Sequence, residues 1–95
     1  SITINFALGN NFLVTLGGNR TLEAPTNATA GQTGEIYFIQ DGTGGRTISF
    51  NAVYKFPSGS VPSATSTSGA VDLMVYSARS GTVVDAVMLK DFKRS

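Results

Sequence analysis

The sequence has no histidine, no cysteine and no tryptophan. Without histidine or cysteine, a Ser–His–Asp triad, a thiol nucleophile, a disulfide framework and a zinc site built on Cys or His are all excluded within this chain. Charge is scarce too. Charged residues fill 14% of the 95 positions, and seven Lys and Arg against six Asp and Glu leave a net charge of +1. A nucleic-acid-binding domain needs a basic patch, so this balance argues against one. No apolar run approaches the ~20 residues of a membrane span, and no basic-then-apolar leader opens the sequence. Neither nucleic acid nor membrane insertion is expected, and no cofactor or metal motif is found.

What is present is a chain that is 41% hydrophobic with eleven glycines. Ser and Thr together make up roughly a fifth of it. The length allows one domain, residues 1–95, and no second. The dominant period is two. Ile2, Ile4, Phe6 and Leu8 alternate with Thr3, Asn5 and Ala7, which predicts a strand with one apolar face. Gly9-Asn10-Asn11 reads as a turn into a second strand, Phe12 to Leu16, so the two should form a hairpin. A short strand follows from Arg20 to Ala24, ended by Pro25. Glu35 to Gln40 is the strongest strand of the first half. Asp41-Gly42-Thr43-Gly44-Gly45 is a tight turn, with Arg46 to Phe50 returning as partner and Val53 to Phe56 continuing or bending that strand. Pro57 to Gly69 reads as an exposed loop. Ala70 to Ala78 and Thr82 to Phe92 are the last strands, before a basic end at Lys93-Arg94-Ser95. No segment combines helical spacing with a cap and adequate length. The expected fold is all-β: a small antiparallel, jelly-roll-like β-sandwich of about seven strands.

Three of these strands are apolar on both faces. Ile36 and Phe38 oppose Tyr37 and Ile39. Val71, Leu73 and Val75 oppose Met74 and Tyr76. Val83, Val87 and Leu89 oppose Val84, Ala86, Met88 and Phe92. A two-layer sandwich buries one face of each sheet, so the second face needs a cover, and a homo-oligomer is the simplest source of one.

Few residues carry chemistry. The glycine-rich run 41–46 lacks the Gly-Lys-Ser/Thr of a phosphate loop and the carboxylates of a calcium loop. Asp41 should instead bond the turn backbone, with glycines supplying positive φ and Arg46 pairing with the carboxylate. Asp72 sits in an apolar run, so it must find partners in Arg46, Lys55 or loop amides, pinning the long loop. No spacing brings it to a second carboxylate such as Glu35 or Asp85, so no enzyme is expected. Tyr37, Tyr54, Tyr76, Arg46 and Lys55 are the side chains best suited to carbohydrate contact. The competing reading makes the tyrosines core-edge residues with wet hydroxyls.

The run from Gly31 through Asp41-Gly42-Thr43-Gly44-Gly45-Arg46 to Phe50 resembles a known family. So do Tyr54-Lys55-Phe56, Pro57 to Pro62, Gly69-Ala70-Val71-Asp72 and Lys90-Asp91-Phe92, with Asn11-Phe12, Gly18 to Leu22 and Pro25-Thr26-Asn27 upstream. The order of these motifs is similar to that of the C-terminal β domain of tail-fibre and spike proteins of tailed bacteriophages and prophages. The resemblance implies a virion protein, the C-terminal part of a longer fibre, held as a trimer and engaged with host-surface polysaccharide and other virion proteins on an exposed tail or capsid appendage. Gly34, Gly42, Gly44 and Asp72 match the pattern as fold-forming positions, and no catalytic residue carries over. The alternative implied role is purely architectural, as a capsid decoration, head-spike or tail-joining domain.

Overall fold

Period-two patterning sets the regular structure of the described residues as strands. The computed structural model describes residues 1–93. Seven strands are found there: β1 Asn11–Leu16, β2 Arg20–Leu22, β3 Thr33–Gln40, β4 Ile48–Phe50, β5 Tyr54–Lys55, β6 Val71–Ser80 and β7 Val83–Leu89. The only helical pieces among the described residues are single 3-10 turns at Phe6–Leu8 and Pro57–Gly59. Arg94 and Ser95, the tip of the basic end, lie outside the described residues. The expected all-β, two-sheet fold of about seven strands is therefore what forms.

The sheets are mixed, which corrects the expected antiparallel, jelly-roll-like sandwich, because alternation shows faces and not which strand lies alongside. One has five strands in the order β1-β3-β6-β7-β5, and the other pairs β2 with β4. β3–β6 and β6–β7 are antiparallel, whereas β1–β3, β2–β4 and β5–β7 are parallel. Neither expected hairpin forms, that at 9–11 or that at 41–45. Residues 2–5 lie beside β2 in the small sheet, bridged in parallel at Ile2–Leu22 and Asn5–Thr26. The Asn5 side chain then caps the Ala7 amide at 3.0 Å and starts the 3-10 turn that carries the chain across to β1. The 41–45 turn does not close β3 onto β4. Gly44 and Gly45 take consecutive φ values of +72° and +70°, which turn the chain out of the large sheet. The Gly45 amide docks on the Ser66 carbonyl at 2.7 Å, and β4 joins β2. From residue 2 to β4 the chain thus alternates between layers and stacks each new strand parallel to an earlier one.

The core fills the space between layers. Ile36, Phe38, Met74, Tyr76, Ala78, Val84 and Ala86 of the large sheet meet Ile4, Phe6, Leu22, Ile48 and Phe56. Phe6 stacks on Tyr76 with ring centroids 4.7 Å apart, and Phe50 meets Phe56 edge-on at 4.9 Å. Such pairs add about 0.5–1.5 kcal/mol beyond their buried area.

Candidate functional site

Polar anchors hold the loops at one end of the sandwich. Asp72 is buried, and its carboxylate accepts from the Thr65 amide at 2.7 Å, the Thr65 hydroxyl at 2.8 Å and the Asp91 amide at 2.8 Å. Of the three partners expected, loop amides are the ones it takes; Arg46 and Lys55 are not among them. Gln40 is the second buried polar side chain. Its amide donates to the carbonyls of Arg46 at 2.7 Å and Thr65 at 2.9 Å, and its oxygen accepts from the Arg46 amide at 3.1 Å. Sequence reasoning missed Gln40, although it shares the inward parity of Ile36 and Phe38. Together Asp72 and Gln40 tie the long loop and the 41–46 turn to the end of β3 and β6.

Asp41 organises that turn as expected. Its Oδ1 accepts from the amides of Thr43 and Gly44 at 3.1 and 3.0 Å, and its Oδ2 pairs with the Arg46 guanidinium at 3.0 Å. Gly44 is required there, since a Cβ would lie 2.7 Å from the Ser68 nitrogen in a positive-φ conformation. Gly42 has open space around it, so nothing in the structure explains a glycine at that position. The Arg46 guanidinium and the two turn amides hold the Asp41 carboxyl below its ordinary value of 3.8. A depressed carboxyl pKa contributes stability above the unfolded value and loses it as pH falls through the folded one. The melting temperature of Asp41→Asn is therefore expected to lie below wild type at neutral pH and to approach it in acid below about pH 3.8. A constant gap from pH 7 to pH 2 would refute this, as read by circular dichroism.

The five carbohydrate candidates do not converge. Tyr54 and Tyr76 are core residues, which corrects their reading as ligand contacts. Tyr54 is buried with its hydroxyl donating to the Glu23 carbonyl at 2.9 Å, and Tyr76, 2% exposed, donates to the Asn10 carbonyl at 2.9 Å. Burial pushes both phenols above the ordinary tyrosine value, so both remain donors. Arg46 is engaged by Asp41. Tyr37 and Lys55 are exposed on strands β3 and β5, with β6 and β7 between them.

The feature that does stand out is the outer face of the five-stranded sheet. The strand register aligns Leu13, Tyr37, Leu73 and Leu89 in one row across four strands. The next row holds Asn11, Glu35, Val75 and Val87, and a third holds Thr15, Ile39 and Val71. Leu13 is 65% exposed and Leu89 48%, while Leu73 at the centre is only 8% exposed because its row neighbours crowd it. At one end of this face lies an open groove of about 720 Å³. Its lining includes Asn11, Thr33, Glu35, Ser77 and Asp85 over an apolar floor of Val75 and Val87. Asp85 is paired with Arg79 and registers with Lys55 on β5.

The described residues thus form a small all-β domain with an apolar outer sheet face and tethered polar loops. Among the described residues no group of three or more Asp, Glu, His or Cys is placed to hold a metal ion. Residues 3–80 match the family described as "Putative phage tail fibre C-terminal domain", and the chain belongs to that family. It is a structural protein of the tail-fibre type, associated with the virion. No curated protein and no solved structure matches it.

Proposed function

We propose that this domain is the head of a tail fibre, in which several copies turn the Leu13–Tyr37–Leu73–Leu89 end of their outer sheet faces towards one another and leave the groove end and the loops to the host surface. The observation that carries the reading is the aligned row Leu13, Tyr37, Leu73 and Leu89, an apolar stripe too continuous for a solvated face. Three copies is the number implied by the resemblance to fibre heads. Tyr37 then belongs to the association surface. Host polysaccharide is met by the groove, where Thr33, Glu35 and Ser77 offer hydrogen bonds to sugar hydroxyls, the valine floor meets C–H faces, and Lys55 registers beside the lining residue Asp85. Each contact is weak, and adhesion comes from several held on one head. The exposed end of a tail is where such a head works, with other virion proteins behind it.

The test combines mass with adhesion. Wild type should scatter light as more than one copy at micromolar concentration. Tyr37→Lys with Leu89→Lys should break the face contact and lower that mass, with the copies still folded, and weaken adhesion to immobilised host polysaccharide by about 100-fold through lost avidity. Glu35→Ala should weaken adhesion without changing mass. A single-copy wild type overturns the association. Oligomers that bind no host glycan leave the architectural role instead.

A further inference from the structure

The two edges of the five-stranded sheet are finished differently. β5 is two residues long, carries Lys55 and runs into Phe56-Pro57. A short strand, a lysine and a proline all keep an edge from pairing. β1 at the other edge is six residues, Asn-Phe-Leu-Val-Thr-Leu, with no charge and no proline. It pairs with β3 in unbroken register, and no described strand lies on its other side. The Glu35 amide donates to the Asn10 carbonyl at 3.0 Å, with Asn11 opposite Glu35. Backbone groups alternate in direction along a strand. Phe12, Val14 and Leu16 therefore turn theirs to β3, and Asn11, Leu13 and Thr15 turn theirs to the open edge. Phe12 and Val14 pack against the core from this edge and are only half-buried.

We propose that β1 pairs with β1 of a second copy, antiparallel, about a two-fold axis at Leu13. A two-fold contact between identical edges is self-complementary and makes the strands antiparallel. Centred on Leu13, it sets that residue against its own copy and Asn11 against Thr15, closing about six N–H···O bonds from the groups now facing out. The side chains match on both faces. Inside, Phe12 meets Val14 of the second copy, which extends the core over its open side. Outside, the row from Leu89 through Leu73 and Tyr37 to Leu13 runs on without a break into the same row of the neighbour. Beyond the strand, Gly9 stands opposite Gly17, and neither puts a side chain of its own into the seam. With no charge on the strand, self-pairing brings no like charges together. This contact uses the sheet edge, whereas the fibre-head association uses the sheet face, and either holds without the other. Three-copy heads that also used this edge would join head to head, as two heads and six copies.

Amide exchange followed by NMR tests this in the unaltered protein. In paired molecules the Leu13 and Thr15 amides should exchange as slowly as those of Phe12 and Val14, and dilution should speed the first pair by about tenfold or more while leaving the second slow. Leu13→Pro removes an outward N–H and no bond to β3, so the variant should fold and halve the sedimenting mass. Should that variant misfold, Leu13→Lys keeps the backbone and should also halve the mass. Tyr37→Lys with Leu89→Lys should leave the Leu13 and Thr15 protection in place, which separates this contact from the face. Leu13 and Thr15 amides that exchange fast at every concentration overturn the proposal. So does an assembly with an odd number of copies that Leu13→Lys leaves unchanged, or a fibre in which a preceding strand lies parallel on β1.

Discussion

Gly34→Ala is expected to remove about 4 kcal/mol of stability and to shift the urea midpoint well below that of wild type. Gly34 lies on β3 at the inward parity of Ile36 and Phe38, opposite Tyr76 on β6. Where its side chain would point, the chain has placed the Asn10 carbonyl and the Tyr76 hydroxyl. A Cβ there would sit 1.8 Å from the Asn10 oxygen and 2.6 Å from the Tyr76 oxygen. The Asn10 carbonyl cannot simply retreat, because it accepts from the Glu35 amide at 3.0 Å and the Tyr76 hydroxyl at 2.9 Å. Making room breaks both bonds, leaves a buried phenol without a partner and pulls the start of β1 off β3. Overpacking alone costs about 1–3 kcal/mol, and an unpaired buried donor adds a similar amount. The sum, about 4 kcal/mol, is a large part of the 5–10 kcal/mol total stability expected of a domain this size. Urea titration followed by circular dichroism reads the loss directly. A variant with the wild-type midpoint would mean that Asn10 and the first strand move freely, and the account of how β1 is seated would be wrong.

The same site marks the boundary of what the sequence makes legible. Alternation says which side chains share a face, and that information survived. Ile36 and Phe38 do oppose Tyr37 and Ile39, and the apolar second face of β3, β6 and β7 was readable from residues 36–39, 71–76 and 83–89. Alternation does not say which strand lies alongside, because pairing is fixed by distant residues. A hairpin at Gly9-Asn10-Asn11 satisfies the pattern of residues 2–16 as well as the parallel β1–β3 ladder does. The decision rests with Phe6, which leaves the strand path to stack between Phe12 and Tyr76. The candidate site divides in the same way. The Asp41–Arg46 pair and the Asp72–loop bonds are local needs of named polar groups, and they were foreseeable. The inward placement of Tyr54 and Tyr76 was not, since their strands are apolar on more than one face and only the assembled layers show which face is covered. Gln40 is the exception: three inward positions, Ile36, Phe38 and Gln40, ended in an amide that had to find partners.

Asp72→Ala should release both the long loop and the C-terminal segment. The carboxylate is 2% exposed and takes three donors, two from Thr65 and one from Asp91. Hydrogen bonds to a charged acceptor contribute about 1.5–3 kcal/mol each, and the freed Thr65 and Asp91 amides lose their partner as well. Rehydration of the loop offsets part of this, so a net loss of about 3 kcal/mol is expected. For a domain of this size that corresponds to a fall in melting temperature of roughly 12–24 °C. Asp72→Asn should recover little of it. An amide nitrogen in the place of Oδ2 would point its own hydrogens at the Thr65 N–H, donor against donor, while Oδ1 kept the other two bonds. Thr65→Ala removes one hydroxyl bond and leaves both backbone bonds, so its effect should be about 1 kcal/mol. The order Ala, then Asn, then the Thr65 variant is the signature of a carboxylate that holds backbone. Limited proteolysis adds where the damage falls: cleavage between Pro57 and Gly69 should speed up in both Asp72 variants before the strands are attacked. If Asp72→Asn melts within about 2 °C of wild type, the loop is held by its own turns and by Gln40, and the carboxylate is not what anchors it.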